Sequence, residues 1–193
     1  MKALVIISLQ NDFGSFGNAA VESADSLADS ANTLMPYFDR VVAVNFAFPP
    51  NHLSFAANHL FRQPGKSMVI KGQVQQLKVI HCVEGSFGAE FPLNLNSKEI
   101  DFIQKVGTDS ETDIYSIFRD LDANDNGLME FLKSSGISSL YFIGISGTFF
   151  QNSIKDATDR GFEVLIIPDA TVGELDFIDS IQVTMEEIIK KSI

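Results

Sequence analysis

A chain of 193 residues, 45% hydrophobic and 20% charged, has the size and composition of one globular domain with a real core. Its formal charge of −11 argues against nonspecific attraction to nucleic acid or anionic lipid. A single cysteine, Cys82, excludes an internal disulfide and fits a reducing, cytoplasmic setting.

The start, MKALVIISLQNDF, has one lysine and a short apolar run without a small-residue cleavage site. It turns polar at Gln10, Asn11 and Asp12, so it reads as a first strand and not as a signal peptide. No apolar segment approaches bilayer-spanning length. VESADSLADSANTLMPYF, residues 21–38, has helical apolar spacing, and RVVAVNF, residues 40–46, is a second strand. From about Pro49 to Asn96 periodicity is weak and Asn, Pro and Gly are frequent. That segment reads as a long structured loop of the kind that serves a site, with VIHC (79–82) as a short strand candidate inside it. EIDFIQKV (99–106) is a further strand, and NGLMEFLKSSG (126–136) is a helix closed by glycine. SSLYFIGI (138–145) and EVLIIPDA (163–170) are strands on either side of the helix NSIKDATDRG (152–161). DFIDSIQVTMEEIIKKSI (176–193) is an amphipathic helix whose basic residues lie at its C-terminal end, where the dipole favours them. Strands apolar throughout and separated by helices predict a mostly parallel sheet covered on both faces. The fold class is therefore a single α/β domain over 1–193, a three-layer α/β/α, Rossmann-like arrangement.

Two stretches raise questions of chemistry. ISGTFFQNS (145–153) spans a strand-to-helix turn, where open α/β sheets mount reacting groups. Its prominent residues, Phe149 and Phe150, neither attack a carbonyl nor carry a proton. DLDANDNGLMEF (120–131) opens like a calcium loop at Asp122, Asn124, Asn126 and Gly127. The twelfth position of that loop is Lys133, a cation where a bidentate carboxylate belongs, so the residues read as turn and cap formers.

Five segments fall in the order of motifs known from bacterial nicotinamidases: SLQNDF (8–13), PPNHLSFAANH (49–59), HCVEGSFGAEF (81–91), GTDSETDIYSIF (107–118) and GISGTFFQNSIKDATDRGFEV (144–164). Over roughly residues 2–173 the chain resembles the isochorismatase-like cysteine hydrolases, in their nicotinamidase branch. The resemblance implies hydrolysis of a small amide by a cysteine nucleophile, an aspartate base and a lysine. It implies also a divalent ion held by an aspartate, a histidine and the histidine of the HCV motif. At the base, lysine and nucleophile positions this chain has Ser8, Val106 and Phe150. At the metal positions it has Phe46, Phe48 and His81, and one histidine does not complete a coordination shell. Ser146 and Gly147 correspond to a cis peptide beside which the family forms its oxyanion hole.

The near misses do not restore the set. Lys105 is one residue from the lysine position, on the opposite face of its strand. Cys82 reads as a buried structural residue, His52 and His59 as loop hydrogen-bonders, and Asp12 as a structural partner. Losing one member of a buried charged set costs about 3–5 kcal/mol, whereas replacing the whole set by apolar groups is often close to neutral. The expectation is a catalytically inactive homologue with a binding, regulatory or scaffolding role, requiring no cofactor. The alternative is a family hydrolase acting on a small amide or ester by an atypical mechanism. Phe13, Phe46, Phe48, Phe149 and Phe150 are expected to converge with His81, Ser146 and Gly147 on the former pocket. They either plug it or leave a narrowed apolar pocket for a flat aromatic molecule. The resemblance further implies a homo-oligomer; nucleic acid and membrane partners are not expected.

Overall fold

The computed structural model describes residues 1–173, 175 and 182–191. Five apolar segments become the parallel strands β1 (Lys2–Ile7), β2 (Arg40–Phe46), β5 (Phe102–Val106), β6 (Ser139–Ile145) and β7 (Glu163–Val172). They form one sheet in the order β5-β2-β1-β6-β7. The three central strands β2, β1 and β6 are largely buried on both sides because helices cover both faces, which is why alternation is weak in their sequences. On one face Val5, Ile7, Val42 and Val44 pack with Leu128 and Leu132 of α2 (Leu128–Ser134) and Phe150 and Ile154 of α3 (Thr148–Asp159). On the other, Leu4, Ile6, Val41 and Ile143 pack with Leu27, Ala31 and Leu34 of α1 (Leu27–Leu34) and Ile188 of α4 (Met185–Lys190). Strand order reverses between β1 and β6, so a crevice opens beyond their carboxyl ends. Gly144 permits the close approach there: its φ is 117°, and a Cβ would lie 2.1 Å from the Ile7 carbonyl oxygen.

Several boundaries differ from the sequence reading. The segment 49–96 contains a hairpin, β3 (Ser67–Ile70) and β4 (Gln73–Gln76), which was expected to be loop. Its turn, Lys71-Gly72, has positive φ at both residues, as mirror-image two-residue turns require. VIHC forms no strand; beside it Val83 makes a single bridge to Phe48. The helix expected over 21–38 is regular only at 27–34, and Pro36 sits in the 3₁₀ turn that ends it. Helix α3 starts at Thr148, four residues before the expected start, which places Phe149 and Phe150 in its first turn. Of the expected C-terminal helix, 176–181 and 192–193 lie outside the described residues. Residues 182–184 are not helical, since Thr184 caps α4 through a reciprocal pair with Glu187. Among the described residues no helix is long and apolar enough to cross a membrane.

Candidate functional site

Three strand ends furnish the crevice. At the end of β1 the chain turns sharply at Ser8, whose φ of 61° is left-handed and whose N–H donates to Val44 O at 3.0 Å. A non-glycine residue in that region is uncommon and costs energy. The next residues hold the crevice together. The Gln10 amide accepts the Phe46 N–H at 2.8 Å and donates to the carbonyls of Phe46 and Ala89, both at 2.8 Å. One side chain thus fixes the end of β2 against the loop that carries Ala89. Asp12 accepts the Cys82 N–H at 2.5 Å and the Asn18 N–H at 3.2 Å, so its carboxylate serves backbone and not chemistry. Gly88 makes room for it, since a Cβ there would lie 2.1 Å from Asp12 Oδ2.

The aromatic residues converge above this support. Phe46 stacks on Phe48 at 5.4 Å and meets Phe149 edge-on at 5.1 Å and Phe13 at 5.8 Å. His81 lies 5.2 Å from Phe48, 5.7 Å from Phe13 and 6.0 Å from Phe46. Its Nδ1 is 2.9 Å from Val79 O, and because a carbonyl only accepts, that nitrogen carries the hydrogen. Burial, then the nearby Lys78 cation, hold the His81 pKa below its ordinary value. The ring is therefore neutral at pH 7, with its lone pair on Nε2. Phe150 turns inward and is fully buried, its ring packed against Phe142 at 5.9 Å.

These rings do not fill the crevice. A cavity of about 380 Å³ remains, lined by Ser8, Phe46, His81, Ser146, Gly147 and Phe149 among others. Of the two expectations for the old pocket, the open one describes the structure. Val106, at the end of β5, is buried, and Lys105 points away to an exposed ion pair with Glu84 at 2.9 Å. The peptide bonds of the described residues are all trans, so the cis peptide implied at Ser146-Gly147 is corrected. Trans is the ordinary form for any bond not preceding proline.

The crevice is not wholly uncharged, a second correction. Lys78 Nζ stands 2.8 Å from both Asp113 oxygens and 5.5 Å from the Phe48 ring centre, and both residues line the cavity. Asp113 Oδ1 also accepts the Ile114 N–H at 2.9 Å. Sequence reasoning missed this pair because Lys78 sits in the segment without periodicity. Asp113 belongs to the GTDSETDIYSIF motif, which was the one available signal. The paired charges cancel, so the wall is polar but locally neutral.

The donor set does not fit a metal of the family type. Phe46 and Phe48 offer no ligating atom, leaving His81 alone, and no group of three metal-binding side chains occurs among the described residues. Nor is there a ready thiolate. Cys82 is fully buried, and burial followed by the Asp12 charge pushes its thiol far above the ordinary range. His52 is occupied through Nδ1 with Ser54 Oγ at 2.8 Å and Nε2 with Thr112 O at 3.2 Å. His59 Nε2 lies 2.6 Å from Leu53 O. Both are loop hydrogen-bonders, as the sequence suggested.

Comparison with known proteins agrees with this fold. The model of the Isochorismatase domain matches residues 2–176. The chain is 33% identical over 193 residues to the nicotinamidase of Acinetobacter baylyi, covering 99% of this chain and 90% of that one. It is 34% identical over 181 residues to the Schizosaccharomyces pombe nicotinamidase, covering 89% and 82%. The solved nicotinamidase/pyrazinamidase of Acinetobacter baumanii superposes with a TM-score of 0.84 at 32% identity, covering 99% of this chain and 89% of that one.

Proposed function

From the premise that the chain belongs to the isochorismatase family, with nicotinamidases as its relatives, we propose that it is a noncatalytic member that binds a small, flat aromatic molecule. The observation that carries this reading is the combination at α3. The residue at the nucleophile position, Phe150, is buried in the core, while the crevice beside it stays open at about 380 Å³. Hydrolysis of an amide through a covalent intermediate needs a nucleophile, a base to take its proton and a group to favour the developing charge. Ser8, Val106 and Phe150 supply neither base, cation nor nucleophile at the family positions. What they leave is a chamber of mainly aromatic wall with one internally paired ion pair, whose ring faces suit stacking against a planar ligand.

The test is direct. Purified protein incubated with nicotinamide and with a panel of small amides and esters is expected to release no ammonia or alcohol. Calorimetric titration with the same aromatics is expected to show binding that Phe149→Ala weakens. Turnover that a single change in the crevice abolishes would overturn the reading.

One observation favours a second reading, a hydrolase of atypical mechanism. The Lys78–Asp113 pair brings a cation and a carboxylate to the crevice that also holds the Ser8 and Ser146 hydroxyls. Turnover lost in both Asp113→Asn and Lys78→Met would select this alternative.

A further inference from the structure

The aromatic crevice holds one acceptor to which the protein brings no donor. His81 Nδ1 donates to Val79 O at 2.9 Å, so the neutral ring carries its lone pair on Nε2. Phe13, Phe46, Phe48 and Phe55 surround the imidazole with ring centres 5.2–6.0 Å away, which fixes its plane as well as its tautomer. Among the described residues, the fully enclosed side-chain polar atoms without a partner belong to Asn45, Gln75 and Gln104, and His81 Nε2 is not one of them. It therefore keeps accessible surface. His81 is only 6% exposed and lines the crevice, so that surface opens there.

The other polar side chains of the wall are less demanding. Lys78 and Asp113 answer each other at 2.8 Å and add no net charge. The hydroxyls of Ser8, Ser146 and Thr148 and the amide of Asn152 donate and accept alike. His81 Nε2 only accepts. A ligand that covers it without offering a hydrogen strips the lone pair of water and returns nothing. A ligand N–H or O–H at that point removes the penalty. Sites of this kind reject an analogue lacking the donor more sharply than they reward added apolar surface. A metal ion does not suit the position. The phenylalanines around His81 add no ligating atom, and no group of three metal-binding side chains occurs among the described residues.

We infer that the crevice selects neutral aromatic molecules whose ring N–H or O–H donates to His81 Nε2, as an indole or a phenol does. The inference rests on the aromatic-binding reading of the same crevice and goes beyond it by naming the group the ligand must present.

The probe is indole, which carries one ring N–H. Its comparisons are benzofuran, of the same shape with an acceptor in that place, and N-methylindole, in which the hydrogen is replaced. In calorimetric titration of the full chain, indole is expected to bind about tenfold more tightly than either. The preference is expected to vanish in His81→Phe, which keeps a ring among the other rings. A second readout needs no variant. His52 and His59 turn Nε2 to the carbonyls of Thr112 and Leu53, at 3.2 and 2.6 Å, so the unprotonated Nε2 resonance of isotopically labelled histidine belongs to His81. That resonance is expected to move with indole and to stay with benzofuran. Equal affinity for indole and benzofuran would overturn the inference while leaving an aromatic-binding crevice in place. A preference that survives in His81→Phe, or an Nε2 resonance that bound indole leaves unmoved, would do the same. If none of the three compounds binds, the inference and the reading beneath it fall together.

Discussion

Two sets of side chains meet at the main crevice, and their contrast explains the molecule. The supporting set, Gln10, Asp12 and Gly88, is polar or minimal in size, and each member has one job set by the backbone around it. The facing set, Phe46, Phe48, Phe149 and Phe150, is apolar, and all but Phe149 stand where the resemblance expects reactive or metal-binding groups. A support that satisfies buried N–H groups is required by the fold whether or not chemistry follows. A reactive group is required only by the reaction, so a pocket can exchange it for aromatic surface at little cost.

That contrast can be broken by experiment. Phe48 is fully buried among His52, Phe55 and His81, and Phe48→Ala is expected to cost about 3–5 kcal/mol of stability in urea denaturation. A much smaller loss would mean the ring belongs to a loose pocket wall and not to the core. Asp12→Ala strands the buried Cys82 N–H, so a loss of about 2–3 kcal/mol is expected by the same measurement. If the loss were negligible, the division into support and facing groups would fail.

A third test uses pH. His52 and His81 are buried and their pKa values lie below the ordinary one, chiefly by desolvation. Above the unfolded value near 6.5 both are neutral in either state, and their contribution is fully present. As pH falls below about 6.5 the unfolded chain takes up protons first, so stability is lost on the way down to the lower folded values. Melting temperature is expected to decline from pH 7 to pH 5, with a shallower decline in His81→Gln. The smallest effect is expected at Lys105→Ala. Its exposed pair with Glu84 is worth no more than about 1 kcal/mol, so melting and binding in the crevice should hardly change.

Much of this was legible in order along the chain. The β-branched runs at 40–46 and 138–145 become β2 and β6 nearly residue for residue, because a strand buried on both faces must be apolar throughout. The candidate site positions were legible too, since each lies in or just before a segment that carries the resemblance: Ser8 in SLQNDF, Phe150 in GISGTFF, Val106 immediately before GTDSETDIYSIF. The β3–β4 hairpin was not, because its residues are largely exposed and lack the alternation that marks a half-buried strand. Neither was Lys78, which sits just past that hairpin, 35 residues before the aspartate it meets.

The sequence by itself determined the fold, through apolar runs long enough only for strands and the helices that must cover them. It also determined that position 150 holds a phenylalanine, which cannot become a nucleophile wherever it is placed. Only the tertiary structure decided that the crevice is open and that an ion pair lines it. Those are facts about distance between residues far apart in the chain, and local patterns of hydrophobicity carry no information about distance.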